Sequence, residues 1–369
     1  MHPRFLRNVI IKGLVLFFLI DLVCGGLDPA ALGKVSLYNH IFSGRQRFPF
    51  GEDSSQSYNL SLFNLDAMFA AHIIAGGQKP VDEYRVILIG DSSTWGTLLR
   101  PKETLTGQMN AAGLTLCGKT LRVYNLGYPT ISLTKDLMVL DYALRYQPDL
   151  VIWLTSLEAF SDENQLTSPI VANNAARVDD LISRYNLPLS PNDPALIRPG
   201  FWDSTLIGQR RALADLFRLQ VYGVLWTATG IDQTYPADYQ AAQTDFNKDV
   251  LYHGMHPPTL DASQLAFGVF EAGLRLAGET PVILVNEPML VSVGENSDLR
   301  YNFLYPRWAY DQWRVMMSVR AAAGDWNYLD LWNVIPADQF TNSSIHLTPA
   351  GEALLAGRVE QAVLQQSCP

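Results

Sequence analysis

From residue 84 to the C-terminus, short apolar runs alternate with amphipathic stretches, and this alternation limits the chain to very few folds. The runs are "RVILIG" (85–90), "LRVYNLG" (121–127), "DLVIWLT" (149–155), "PVILVNEP" (281–288) and "WNYLDL" (326–331). Each has the length of a strand. Most show no polar–apolar alternation, so both faces of the strand must be covered. Between them, residues 102–112 place Leu105, Met109 and Ala112 on one helical face. Residues 132–147 do the same with Leu137, Leu140 and Leu144 behind a Ser/Thr cap. Segments 308–323 and 348–366 are the remaining helices, the last opened by Thr348 and Pro349. The pattern predicts an α/β domain over 84–369, with a central parallel sheet of about five strands covered on both faces. Residues 160–260 break the rhythm and are expected to form a long insert between the third and fourth strands.

The chain has 369 residues, 48% apolar and 17% charged, which favours a packed core over disorder. Its net charge is −9 and it has no long Lys/Arg run, which argues against a nucleic-acid partner. The N-terminus departs from this pattern. Residues 9–27, "VIIKGLVLFFLIDLVCGGL", are almost continuously apolar after Arg4 and Arg7, with a length that suits one membrane span. Lys12 can snorkel to the interface, whereas Asp21 is costly deep in lipid. A cleaved signal peptide is the other reading, although no A-x-A-like site follows and "DLVC" is a poor lipoprotein box around Cys24. We expect a membrane anchor over 1–29, with the N-terminus inside and the remainder outside the cytoplasm. Residues 30–83 are expected to be irregular but packed on the domain, since a free linker seldom carries so many Phe, Tyr and Leu. Within the insert, 213–231 is apolar enough to be insert core or a surface lying on the bilayer. Cys117 and Cys368 are either bridged, as an external location permits, or free buried thiols.

In an open parallel sheet, ligands collect at the carboxyl ends of the strands. The residues there are Asp91-Ser92-Ser93-Thr94, Asn125-Leu126-Gly127-Tyr128, Thr155-Ser156-Leu157-Glu158 and Asn286-Glu287-Pro288. His346 lies just before the last helix, in "TNSSIHLTPAG". A serine on the first crest and this histidine can meet over the sheet edge. The plainer alternative is a helix-capping serine and a structural histidine. "GDSSTWG" (90–96) resembles the first block of the SGNH, or GDSL-type, hydrolases. "YNLGYPTIS" (124–132) resembles their second block, and "SSIHLTPAG" (343–351) the final one, usually Asp-x-x-His-Leu-Thr. The resemblance covers about 84–158 and 281–366. It implies a flavodoxin-like three-layer sandwich in which Ser92 is the nucleophile and His346 the general base. The backbone N–H groups of Ser92 and Gly127 would then form the oxyanion hole.

Two blocks depart from the family pattern. The third, normally Gly-x-Asn-Asp, is here "SLEA", with Glu158 near the usual asparagine. Either Ser156 replaces that donor or the hole has two donors only. In the final block, Ser343 stands where the family has Asp, with Asn342 one step earlier and Asp338 earlier still. The site is then a Ser–His dyad, or another oxygen orients the imidazole. Asp91, Thr94, Tyr128, Glu158, Asn286, Asn302 and Arg307 are candidates for contacting substrate; for the loop residues, Arg307 included, packing and ion pairing is the plainer reading. His253 and His256 are read as a structural pair rather than a metal site, and no cofactor is implied. Asn59 and Asn342 stand in N-x-S sequons, which recur by chance. The resemblance implies a serine esterase or O-acyltransferase that passes an acyl group from Ser92 to a carbohydrate or polyol hydroxyl, or to water. An N-terminal anchor with an external domain of this type is similar to proteins that accompany multispanning membrane-bound O-acyltransferases. Asp21 and 213–231 would contact such a partner. A surface lipase or carbohydrate esterase, and a non-catalytic module that kept the fold, are the competing expectations.

Overall fold

The structure, a computed structural model, describes residues 3–25, 33–41, 44–50, 63–229 and 238–368. Asn59 and much of the 30–83 lead-in lie outside the described residues. Six strands form one sheet: β1 (Glu83–Ile89), β2 (Thr115–Leu116), β3 (Lys119–Asn125), β4 (Leu150–Thr155), β5 (Val282–Asn286) and β6 (Asn327–Asp330). Their order is β2-β3-β1-β4-β5-β6. Every pairing is parallel except that of β2 with β3. The five long strands are those expected from the apolar runs. The sixth is a two-residue edge that pattern reasoning passes over. Cys117 and Gly118 both take positive φ, 55° and 74°, which is the backbone a two-residue hairpin turn demands.

Successive strand residues point to opposite faces, and the two faces are covered by different helices. On one side Ile87, Val151, Trp153 and Leu284 pack with Leu137, Phe270 and Trp313. Those three come from α4 (Leu133–Ala143), α7 (Phe267–Ala277) and α8 (Arg307–Gly324). On the other side Val86, Leu88, Ile152 and Ile283 pack with Met109, Leu355 and Val359. These belong to α3 (Leu105–Ala111) and α9 (Pro349–Leu364). All seven residues of β1 are buried, as a central strand requires. The result is a three-layer α/β sandwich. Cys117 and Cys368 form a disulfide with Cα atoms 5.5 Å apart, tying the chain end to the β2–β3 turn. Closing so long a loop restricts the unfolded chain, an effect on the order of 2–4 kcal/mol.

The insert is not a separate body throughout. Ile170, Val178, Leu181 and Leu196 join the main core, with Val178 and Leu181 on α5 (Ala175–Tyr185). Residues 213–231 fall largely within α6 (Arg210–Thr229), whose Leu219 packs on Ala67 and Ala71 while Phe217 and Leu225 stay exposed. The N-terminal segment forms α1 (Pro3–Cys24), with Phe5, Ile11, Phe18 and other apolar side chains facing outward. No helix among the described residues is long and apolar enough to cross a membrane. This corrects the expectation of a transmembrane span: α1 carries Arg4, Arg7, Lys12 and Asp21 within its 22 residues. Asp21 is also used inside the chain. It is 4% exposed, and its Oδ1 accepts the Ile207 N–H at 2.8 Å, beside the start of α6.

The register sets the site. Leu88 pairs with Asn125, Ile89 with Trp153, and Thr155 with Asn286, which in turn pairs with Asp330. The carboxyl ends of β1, β3, β4 and β5 therefore stop at one edge, and the loops that follow them meet there.

Candidate active site

After β1 the chain turns abruptly into the one-turn helix α2 (Ser92–Trp95). Asp91 is its N-cap, its Oδ1 accepting the Ser93 N–H at 2.8 Å, and Gly96 ends it in the left-handed region at φ 87°. Ser92 is thus the first residue of a capped turn, where its N–H has no intrahelical acceptor. The lead-in braces this turn from outside. Arg47 Nη1 donates to the Gly96 carbonyl at 2.8 Å, and Trp95 Nε1 donates to the Phe48 carbonyl at 2.7 Å.

His346 lies across the sheet edge with its Nε2 2.8 Å from Ser92 Oγ. Its Nδ1 is 2.8 Å from Asn342 Oδ1. A neutral amide oxygen can only accept, so Nδ1 carries the proton and Nε2 is left as an acceptor for the serine hydroxyl. Among the three oxygens considered from sequence, Asn342 is the one that orients the ring. Ser343 and the exposed Asp338 show no bond to it among the described residues. Burial depresses the His346 pKa to about 4, with Asp91 opposing as an anion nearby. The imidazole is accordingly neutral at pH 7.

The Gly127 N–H does not face the nucleophile as an open donor. It donates to Asn125 Oδ1 at 3.0 Å, inside its own turn. The glycine is required for another reason: a Cβ there would lie 2.6 Å from the Trp95 nitrogen, so the β3 loop can pass against α2 only without a side chain. Of the two backbone donors implied for the oxyanion hole, the Ser92 N–H at the start of α2 is the one with no acceptor within its own turn. Ser156 is buried, and its Oγ accepts from Tyr305 Oη at 2.8 Å. Glu158 is not an unpaired carboxylate. Its Oε1 lies 2.9 Å from His253 Nε2, whose Nδ1 is 2.9 Å from Glu163. The Glu158 bond, with Glu163 adding to it, raises the His253 pKa to about 9. His253 is therefore a cation clamped between two acids. His256 is exposed, and no group of three metal-ligating side chains occurs among the described residues.

Most residues proposed to touch substrate are engaged in the scaffold, which corrects those expectations. Asp91 caps α2. Thr94 and Tyr128 are buried. Asn286 is buried, donating to Asp330 and accepting from Tyr310. Asn302 is buried, donating to the Leu290 carbonyl and accepting from the Leu304 N–H. Arg307 donates to the Ser297 carbonyl and covers the Tyr301 ring. Polar residues after a strand read alike in sequence whether they face a ligand or tie the loop down, and here burial decides for the latter.

Two features of the site carry no clear signal in the sequence. Lys135, fully buried on α4, donates to the Gly90 carbonyl at 2.6 Å and the Tyr128 carbonyl at 3.2 Å. It also pairs with buried Asp136 at 2.8 Å, whose second oxygen accepts from Trp153 Nε1. One cation thereby pins the loops after β1 and β3 together. The other feature is an open groove of about 400 Å³ beside Asn342, lined also by Tyr239, Gln240, Ala241, Gln243 and Phe303. Tyr239 and Phe303 are 46% and 47% exposed.

No family model matches the sequence, and no curated protein matches it either. Several solved structures resemble the chain. A member of the lipolytic protein G-D-S-L family from Veillonella parvula is 10% identical, the match covering 76% of this chain and 99% of that one at a TM-score of 0.37. Est24, a carbohydrate acetylesterase from Sinorhizobium meliloti, is 15% identical over 76% and 97% of the two chains, at a TM-score of 0.35. An aryl esterase from M. smegmatis is 16% identical over 75% and 99%, at a TM-score of 0.34. Likenesses at these identities and TM-scores carry no activity over to this chain.

Proposed function

We propose that the chain is an SGNH-type serine esterase or O-acyltransferase acting on O-acyl groups of carbohydrate or polyol. One observation carries this reading: the relay from Ser92 Oγ to His346 Nε2 and from His346 Nδ1 to Asn342 Oδ1, each step 2.8 Å. Ser92 Oγ attacks the acyl carbonyl as its proton passes to His346 Nε2. The oxyanion that forms is held by the Ser92 N–H. His346 then gives the proton to the departing alcohol, leaving acyl-Ser92. In the second half-reaction His346 deprotonates an incoming hydroxyl, of water or of an acceptor, which releases the acyl group and restores Ser92. Asn342 fixes the tautomer, the part that an asparagine can play in a nucleophile–histidine triad.

The groove beside Asn342 supports a carbohydrate or polyol acceptor. Exposed aromatic faces at Tyr239 and Phe303 with amides at Gln240 and Gln243 suit a neutral polyhydroxyl chain. In this reading the outward apolar side chains of α1 and α6 rest on a membrane surface outside the cytoplasm, a compartment in which the Cys117–Cys368 bridge persists. A multispanning membrane-bound O-acyltransferase would supply the acyl group. A non-catalytic binding module is the second reading, favoured by the engagement of the Gly127 N–H with Asn125, which leaves the hole short of a donor.

The test is turnover of p-nitrophenyl acetate by the full chain, with and without acetyl-free oligosaccharides. Transfer predicts acetylated oligosaccharide by mass spectrometry at the expense of acetate, and Tyr239→Ala with Phe303→Ala shifts the products back to acetate. Ester turnover with no acetylated acceptor from a broad oligosaccharide panel leaves hydrolysis only.

A further inference from the structure

Two acids that this chemistry does not use lie behind the nucleophile turn. Glu287 directly follows β5 and is 1% exposed; Glu352 stands in the first turn of α9 and is 3% exposed. Both line one small cavity together with Ser93, the neighbour of the nucleophile, and its other walls are aliphatic, from Leu154, Ile345 and Leu355 among others. The cavity has room for about one water molecule. Glu287 Oε2 accepts the Ser93 hydroxyl, and Ser93 and Ser156 both act to favour the ionised carboxylate, against burial. Glu287 Oε1 is buried with no protein partner.

Among the described residues, no cation is paired with either carboxyl group. The charged groups facing Glu287 are the carboxyls of Asp91 and Asp136, with Tyr305 close by and uncharged. The nearest basic residue on α4, Lys135, is already engaged by Asp136 and by the carbonyls of Gly90 and Tyr128. Glu352 receives a backbone N–H from Leu105 and, among the described residues, pairs with no cation. A buried carboxylate without a cation is costly, so both groups favour the protonated form. Burial pushes Glu287 well above the usual carboxylate range and Glu352 up to about 8, and Asp91 adds to the effect at Glu287.

We propose that Glu287 and Glu352 form an uncharged carboxyl pair, bridged by one water molecule, that holds the Ser92 turn against the helix following His346. The water takes the orphaned Glu287 Oε1 on one side and Glu352 on the other. Through Ser93 the pair fixes the turn that carries Ser92, and through α9 it fixes the segment that carries His346. Glu287 and Glu352 are positioning residues: they touch neither substrate nor the reacting atoms. Ionisation of either one places a charge without a counter-ion in a mostly aliphatic cavity and drives the two halves of the site apart.

The test does not depend on catalysis, so its failure is separate from failure of the serine chemistry. In pH-difference infrared spectra of the full chain, the wild type should show the carbonyl band of protonated carboxylic acids at pH 7. Part of that band should vanish on titration through about pH 8, and this part should be missing in Glu352→Gln. Thermal unfolding supplies a second readout. A carboxyl whose folded pKa is raised binds more protons folded than unfolded, so stability falls as pH rises from about 4.5 to about 8. The fall in Tm across that window should be smaller in Glu352→Gln than in the wild type. A wild type with no protonated-acid band at pH 7, or a Tm fall unchanged in Glu352→Gln, overturns the proposal. Should Glu287→Gln fail to fold, the wild type and Glu352→Gln decide the matter alone.

Discussion

His346→Ala is expected to lower kcat/KM for p-nitrophenyl acetate by roughly 10⁴-fold, and Ser92→Ala by a similar factor. The reason is that the two groups act as one device. Without the imidazole, Ser92 Oγ has no acceptor at 2.8 Å and stays a neutral alcohol. Without the serine hydroxyl, the imidazole has nothing to activate for acyl transfer. The double variant should therefore be no worse than either single one. Losses that multiply would mean that the two residues act independently, and the proton route drawn here would be wrong. Both variants should keep the wild-type Tm closely, because the Ser92–His346 contact is one hydrogen bond in a core of extensive burial.

Asn342→Asp is expected to move the acid limb of kcat/KM upward by about one to three pH units. In the wild type the base is held near pKa 4 by burial, and the group at Nδ1 is a neutral amide that does nothing to favour the imidazolium. An aspartate at the same place puts an anion against the Nδ1–H and stabilises the charged ring. The wild type should hence retain activity well below pH 6.5 and lose it near pH 4, whereas the variant loses it earlier. The sign for stability runs alongside. A histidine whose folded pKa is depressed binds fewer protons folded than unfolded, so stability declines as pH falls from 6.5 to about 4. Initial rates taken after brief exposure to acid separate this decline from the protonation of the base. A wild-type limb near pH 6.5, or a limb that Asn342→Asp leaves in place, would contradict the assigned environment of His346.

The fold was largely legible because its signal is periodic. Five apolar runs became the five parallel strands, and Leu105, Met109, Leu137 and Leu140 face the core as helical spacing requires. Ser92 and His346 were legible because residues at strand ends converge in any open parallel sheet, whatever their separation in sequence. Other features depend on atoms that no pattern encodes. Whether Asn342, Ser343 or Asp338 orients the ring turns on the loop between the bridge at Phe340 and Leu347, where the Thr341 N–H bonds back to the His346 carbonyl. That tight return brings position 342, rather than 343, opposite Nδ1. Gly127 was read for its N–H, but its lack of a side chain is what the packing on Trp95 uses. Nothing in the spacing of Lys135 marks it as a buried tie between two loops, because its partners are backbone carbonyls distant in sequence. The N-terminal stretch has the length of a membrane span, yet α1 carries four charged residues, and no helix among the described residues is apolar enough to cross a membrane.

The most direct measurement of the central claim is covalent labelling of the full folded chain by a fluorophosphonate probe, with the adduct mapped by peptide mass spectrometry. The account predicts one phosphonylated residue, Ser92, with labelling lost in Ser92→Ala and in His346→Ala. A folded wild type that takes up no probe, or that carries the adduct on another serine, would contradict it.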